Sequence, residues 1–337
     1  MTIEDRRAQI DDHGRQPPRV AFQGDHGAFS EEAVRASFGG RARVVPCALL
    51  EDLFALLATG GVDFAVAPVE NTLFGSVHRT LDLLLAGTLH VVGESVVRVR
   101  HQLVGCRGAT FAGVRTVESH PVALGQCERF FAAHPHLTRE ASDDTAASVR
   151  RVCAARDPSR AAVGSRRAAQ LHGGVILRRD LQDHPCNYTR FLVLARSPAA
   201  PPALAAPAAG TLPAAGSARP KLCLAIKLAH APGTLHRALA PFAERGIDLL
   251  RIESRPIPGE PWRYLFYLDL QGTPADPRVR GALDELAAEA LAVRILGCFD
   301  AAAAAGARRA GAAVSSSVPH THRPDAQRPG RKADDVA

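Results

Sequence analysis

From Arg19 to about Arg196, short apolar runs alternate with stretches whose apolar residues recur every three or four positions. Residues 20–22, 43–45, 64–67, 90–92, 116–117 and 161–164 read as strands. Between them Leu49, Leu53, Leu56 and Leu57, then Val77, Leu81, Leu84 and Leu85, keep the helical period. Further helices open at Ser30-Glu31-Glu32, where Ser30 suits an N-cap, at Asp143-Asp144-Thr145 and at Ser165. Strands alternating with helices predict an α/β unit with parallel sheets covered on both faces.

A second pattern fills residues 221–300. A strand at 222–226 leads into a helix through Leu235, Leu239 and Phe242. Strands at 247–257 and 264–270, a helix at 279–291 and a strand at 293–298 follow. The order βαββαβ is ferredoxin-like, and its open edge invites pairing with a second copy. Three other segments lack such periods: a charged leader at 1–18, a Pro/Ala-rich linker at 197–220 and an Ala/Arg/Ser/Pro-rich tail at 301–337. All three read as disordered or extended.

Composition narrows the function classes. No apolar run reaches about eighteen residues, so no membrane span is expected. The charged N-terminus has no apolar core of a signal peptide, which predicts a cytoplasmic protein. The formal charge is +7, yet only three of the 41 basic residues are lysine, and no Lys/Arg block interleaves with aromatics. A nucleic-acid partner is not expected; an anionic small molecule suits the charge better. The seven cysteines form no C-x-x-C pair, so neither a disulfide frame nor a metal site is suggested. P-loop, dinucleotide and nucleophile-elbow motifs are absent, and no cofactor is expected.

Polar residues gather at the predicted strand ends. The clusters are Gly24-Asp25-His26-Gly27 into Ser30; Glu70-Asn71-Thr72 into Gly75-Ser76; Ser119-His120; Asp144-Thr145; and Asn187-Tyr188-Thr189-Arg190-Phe191. Hydroxyls, amides and helix N-termini at such an edge suit a carboxylate or phosphate. Singly, each residue also suits a plainer role. Ser30, Ser76, Ser119 and Thr145 fit helix caps, Glu70 and Asn71 fit a turn, and Arg190 fits an ion pair. Five clusters in one unit predict an anion-binding cleft.

Six stretches together carry a closer likeness: FQGDHGAFSEEA (22–33), PVENTLFGSVHRTLDLLL (68–85), SHPVALGQC (119–127), DDTAAS (143–148), AAVGSRRAA (161–169) and NYTRFLVLA (187–195). In this order they resemble the prephenate dehydratase family. Residues 221–300, with ESRP at 253–256, resemble its attached ACT regulatory domain. The resemblance implies a two-lobed catalytic domain like periplasmic binding proteins over 19–196. One lobe would span about 19–95 plus 188–196 and the other 96–187.

The implied reaction is decarboxylative dehydration of prephenate to phenylpyruvate, with arogenate dehydration as the alternative. By the family's motif Thr189 would be the catalytic donor. Asn71, Ser76, Ser119, Thr145, Arg190 and Phe191 would contact substrate, with Glu70 and Thr72 in support. Arg190 is alternatively expected to brace the cleft through an acid such as Glu70. Phenylalanine would inhibit by binding between paired ACT domains, at Pro232, Gly233, Thr234 and Leu235 and at Glu253, Ser254, Arg255 and Pro256. A homodimer or homotetramer is implied. The chain departs from the family at Thr72, often serine, at Val122, often glutamine, and at the Pro232 loop, usually Gly-Ala-Leu-Val.

Overall fold

The computed structural model describes residues 16–40, 42–198, 220–257 and 259–302. Most of the expected leader, linker and tail lies outside the described residues. The first lobe comprises β1 (Arg19–Gln23), α1 (Phe29–Phe38), β2 (Arg43–Cys47), α2 (Leu50–Ala58), β3 (Phe64–Asn71), β4 (Gly75–Ser76), α3 (His78–Ala86) and β5 (His90–Arg98). The chain crosses to the second lobe: β6 (Gln102–Gly105), β7 (Thr116–Ser119), α4 (Pro121–Gly125), α5 (Glu128–Ala132), β8 (Thr138–Ala141), α6 (Thr145–Ala155), β9 (Arg160–Gly164), α7 (Arg166–Leu171) and β10 (Val175–Arg178). It returns as β11 (Tyr188–Ala195). A third unit follows: β12 (Pro220–Lys227), α8 (Thr234–Glu244), β13 (Leu249–Pro256), β14 (Tyr264–Gln271), α9 (Pro277–Glu289) and β15 (Ala292–Asp300).

The first sheet runs β2-β1-β3-β11-β5, with β4 on β3, and the second β10-β6-β9-β7-β8. Both are mixed, which corrects the expectation of parallel sheets. β1 is parallel to β2 and β3, and β7 to β8 and β9. But β11 is antiparallel to β3 and β5, and β6 to β9 and β10. Apart from the two-residue β4, which turns back on β3, the odd strands are the two that arrive from the opposite lobe. Strands made by βαβ steps inside one lobe point one way, and a strand arriving from the other lobe runs against them. The result is two α/β lobes joined by two crossings.

Alternation along β11 sorts its side chains onto two faces. Phe191, Val193 and Ala195 join Phe22, Val66 and Val97 in an apolar cluster that also takes in Val104, Val149, Ala162 and Ala168 of the second lobe. Leu192 and Leu194 join Leu53, Leu57, Leu81 and Leu84 of the first-lobe helices, together with Cys223, Ala225, Tyr267, Leu296 and Phe299 of the third unit. The first sheet is therefore covered on both faces, by the second lobe on one side and by its own helices and the third unit on the other.

The lobes meet closely at the 24–27 loop. Ser165, the N-cap of α7, donates to the Gly27 carbonyl at 2.6 Å. Gly27 has φ +93°, and a Cβ there would lie 2.6 Å from Ala168 Cα, so only glycine fits. Ser30 does not cap α1. The N-cap position is Ala28, and it makes no side-chain bond. Instead Glu31 reaches back to accept from the Gly27 amide at 2.7 Å.

The third sheet runs β13-β14-β12-β15, all antiparallel, with an apolar core beneath α8 and α9 formed by Leu222, Leu224, Ile226, Phe242 and Leu286. This is the ferredoxin-like order. Its opposite face docks on the first lobe. A bulge in β15 inserts Leu296 into the shared core. Beside it, a Cβ on Gly297 would fall 1.9 Å from the Val91 carbonyl oxygen. No helix among the described residues is long and apolar enough to cross a membrane.

Candidate active site

Thr189 lies second in β11, opposite Asn71 on β3 and Val97 on β5. Val97 belongs to the cluster shared with the second lobe, so Thr189 faces that lobe. Asn71 Nδ2 lies 3.0 Å from Thr189 Oγ1, 2.8 Å from Asn187 Oδ1 and 3.1 Å from the Tyr188 carbonyl. Asn71 Oδ1 accepts from the backbone amides of Leu73 (2.9 Å) and Phe74 (3.1 Å). Those two donors fix which end of the carboxamide faces Thr189: it is the nitrogen, and it donates. Thr189 Oγ1 is thus an acceptor from Asn71, and its own proton remains to be given elsewhere.

The network continues into the second lobe. Asn187, fully buried at 0% exposure, donates Nδ2 to Gln126 Oε1 at 2.9 Å. His101 Nε2 reaches the same Gln126 oxygen at 2.6 Å. A carbonyl oxygen only accepts, so His101 carries its proton on Nε2. Burial pushes the His101 pKa down, against the Gln126 bond, and keeps the ring neutral. His101 Nδ1 is buried without a hydrogen-bond partner among the described residues. Phe29 packs edge-on against the ring at 5.7 Å. Thr72, beside Asn71, donates to the Cys186 carbonyl (2.9 Å) and accepts from the Tyr188 amide (3.0 Å), tying the β3–β4 turn to the start of β11.

Gln126, Asn187 and His101 were not among the expected site residues. Asn187 stood in the marked stretch, and Gln126 in the SHPVALGQC stretch. His101 had no sequence signal, because the network is assembled from three elements distant in the chain.

Several expected substrate contacts lie elsewhere. Arg190 points to the opposite face from Thr189. Its Nε meets Glu94 Oε2 at 2.7 Å, and its Nη1 meets Asp269 Oδ2 at 2.5 Å and Glu70 Oε2 at 3.9 Å. Burial opposes its charge, but Asp269 and Glu94 outweigh it and push the pKa above the ordinary arginine value. Of its two expected roles, the bracing one matches this geometry, with Glu94 and Asp269 as closer partners than Glu70. Ser76 also faces away: it is paired with Glu70 in register, and its Oγ donates to Glu253 Oε2 at 2.6 Å. Phe191, at 2% exposure, fills the core instead of touching the cleft. Strand alternation turns Arg190 and register turns Ser76 away from Thr189, whereas Phe191 keeps the Thr189 face and is covered by the second lobe.

In the second lobe, Ser119 is fully buried and donates to the Val163 carbonyl at 2.6 Å. Thr145 is half-buried in the first turn of α6, whose N-cap Asp144 accepts from Ala146 and Ala147 and faces Gly24 of the first lobe. Val122 is exposed. A groove of about 490 Å³ also opens between the lobes, but Thr189 does not line it. Its arginines are ion-paired: Arg150 with Asp25, and Arg35 and Arg167 with Glu31. Burial alone would raise the Glu31 pKa. Arg167, the Gly27 amide and Arg35 bring it down to about 2. The next carboxyl, Glu32, is raised to about 7 by burial, with Arg167 opposing and Glu31 adding.

The expected effector residues form two groups. Pro232 and Gly233 are exposed in the loop before α8, and Gly233 at φ +80° is the N-cap. Thr234 is buried with its hydroxyl donated to the Ala231 carbonyl, and Leu235 packs on the third-unit core. On β13 the faces alternate. Glu253 meets Ser76 and His78, and Arg255 meets Asp82 at 3.0 Å, both on the first lobe. Ser254 and Pro256 are exposed.

Comparison with known proteins agrees with this architecture. The ACT domain family model matches residues 224–288. "Arogenate dehydratase/prephenate dehydratase 2, chloroplastic" of Arabidopsis thaliana is 40% identical over 291 residues, 83% of this chain and 72% of that protein. The crystal structure of a prephenate dehydratase from Arthrobacter aurescens in complex with L-Phe has a TM-score of 0.72 and 30% identity. It covers 84% of this chain and 90% of its own. A structure described as GqqA, a novel type of quorum quenching acylase, has a TM-score of 0.73 and 33% identity over 84% of this chain and 98% of its own. The prephenate dehydratase family model matches residues 20–199, more than half of the sequence, and the chain belongs to the prephenate dehydratase family.

Proposed function

We propose that this protein converts prephenate to phenylpyruvate, and that phenylalanine inhibits it through the ACT domain. The observation that carries the reading is the direction of the Asn71–Thr189 hydrogen bond. In the reaction the ring carbon–carboxylate bond breaks and releases carbon dioxide. Its electron pair enters the ring, the carbon–oxygen bond on the opposite side breaks, and the departing hydroxide takes a proton to become water. Aromatisation drives the step, and the departing oxygen needs a donor. Asn71 donates into Thr189, leaving the threonine O–H to donate a hydrogen bond to that oxygen as it departs. The proton that completes the water comes from solvent, and Thr189 stays neutral. A fixed donor in a water-poor site is worth far more than the same hydroxyl in water. Thr145, in the first turn of α6, is the proposed contact for a substrate carboxylate, while Asn71, whose amide protons are engaged within the network, acts through Thr189.

Arogenate is the second reading, favoured by the 40% identity to a relative named for both substrates. The chemistry at the ring is the same. The finer features of this reading are a cytoplasmic enzyme paired through its ACT domain, for which the exposed edge strand β13 is the support.

The test is a parallel assay of purified protein with prephenate and arogenate, scoring phenylpyruvate and phenylalanine. Turnover of prephenate alone supports the first reading, and preference for arogenate the second. Turnover of neither overturns both. Unchanged rates and unchanged substrate affinity at saturating phenylalanine remove the regulatory part.

A further inference from the structure

The face of β11 opposite Thr189 carries charges that the dehydration does not use. Arg190 sits there with its side chain 13% exposed, between Glu94 on β5 and Asp269 on β14. Lys221 on β12 binds the same Glu94 at 2.8 Å and 2.9 Å. Asp269 is oriented in turn by the Cys223 thiol, 2.8 Å from its Oδ1. At the rim, Arg251 donates to Ser76 at 2.9 Å and lies 3.5 Å from Glu70, while Glu253 holds Ser76 and His78. One guanidinium therefore joins a strand beside Thr189 to the ACT sheet.

We infer that Asp269 is a positioning residue for the dehydratase site: by holding Arg190 from the ACT side it sets the position of β11, and so of Thr189. This rests on the dehydratase reading and names how the ACT domain acts on that site. Residues 189 and 190 share one peptide unit, so a pull on one displaces the other. The clamp also has a nearby alternative. Nη2 of Arg190 is buried without a hydrogen-bond partner among the described residues, and a small void of about 10 Å³ adjoins it, lined by Val69, Leu192, Tyr267 and Asp269. Glu70 stands 3.9 Å from Nη1. A buried donor left unmade is costly, so a rearrangement that engages it recovers part of what leaving Asp269 costs. Sliding β14 and its neighbour β13, which carries the ESRP residues, would move Arg190 from Asp269 toward Glu70. Two discrete pairings of one arginine are the kind of element that an effector can bias.

The experiment uses the full-length protein with Asp269→Asn and Asp269→Glu, assayed on whichever substrate the wild type turns over. Phenylalanine binding is measured separately by calorimetry. Asp269→Asn is expected to lower kcat about tenfold with KM little changed. It should still bind phenylalanine while inhibition weakens about fivefold or more. Asp269→Glu, which keeps the carboxylate, should restore most of both. Cys223→Ala, which removes only the thiol that orients Asp269, should lower kcat and weaken inhibition about twofold each, and no change in either decides against the inference if Asp269→Asn fails to fold. An active, inhibited wild type whose Asp269→Asn variant matches it in kcat and inhibition overturns this inference alone. So does an Asp269→Glu variant as impaired as Asp269→Asn, which would indicate packing. A wild type inactive on both substrates overturns the dehydratase reading with it.

Discussion

On one face of β11, Thr189 meets Asn71, and through it Asn187 and Gln126, all neutral. On the other, one residue along, Arg190 meets Glu94, Asp269 and, at longer range, Glu70. The neutral side fixes the direction of one proton through the order of donors and acceptors. The charged side fixes the position of a strand. A charge beside Thr189 would compete for its proton, whereas an amide that donates into the oxygen does not. The ions are kept where the sheet screens them from the hydroxyl.

The sharpest way to break this contrast is Thr189→Ala. It should cost about 10²–10³ in kcat with the fold intact, since it removes one positioned donor. Wild-type turnover in that variant ends the assignment. Asn71→Asp tests the direction of the bond more narrowly. A carboxylate of the same shape accepts from Thr189 instead of donating to it, so the proton turns away from substrate. The expected loss in kcat is about 10²-fold, with the melting temperature nearer the wild type than the rate is. Equal activity in this variant would mean that hydrogen-bond polarity at Thr189 does not matter.

On the charged side, Gly297→Ala drives a methyl into the Val91 carbonyl. It should destabilise by about 1–3 kcal/mol, read from denaturant unfolding, with a smaller loss of kcat than Asn71→Asp. A larger loss of rate than of stability would put docking closer to the chemistry than the comparison allows. The smallest effect is expected between the lobes. Glu31 is held at about pKa 2, below an unfolded carboxyl near 4.3. Its contribution is fully present above the unfolded value and is lost as pH falls from there toward 2. Unfolding free energy measured across that window should decline, and Glu31→Gln should flatten its share of the decline.

Much of this was legible in the chain. The βα rhythm gave an α/β unit and βαββαβ a ferredoxin-like one, while the division into two lobes and the ACT identity came from the family resemblance. The Asn-Tyr-Thr-Arg-Phe stretch pointed to Thr189. Thr189 and Arg190 are adjacent in a strand, and period two alone sends them to opposite faces. The same rule separates Arg190 from Phe191. Ser76 was harder, because its face depends on its register with Glu70 across a turn. The mixed sheets were hidden, since direction follows from which strands cross between lobes. His101 and Gln126 were illegible as partners: 25 residues separate them, and nothing local ties either to Asn187.

The placement of β11 has a consequence for synthesis. It fits between β3 and β5, which leave the ribosome long before it, with the whole second lobe in between. Until residue 195 emerges, the facing edges of β3 and β5 stand unpaired, and β3 is rich in alanine and valine and β5 in valine. Such edges are sticky while they wait. The nascent first lobe should therefore depend on holdase chaperones, or on slow translation through the second lobe, more than its finished stability would suggest. The hydroxyl proposed for the chemistry arrives on the strand that ends the wait.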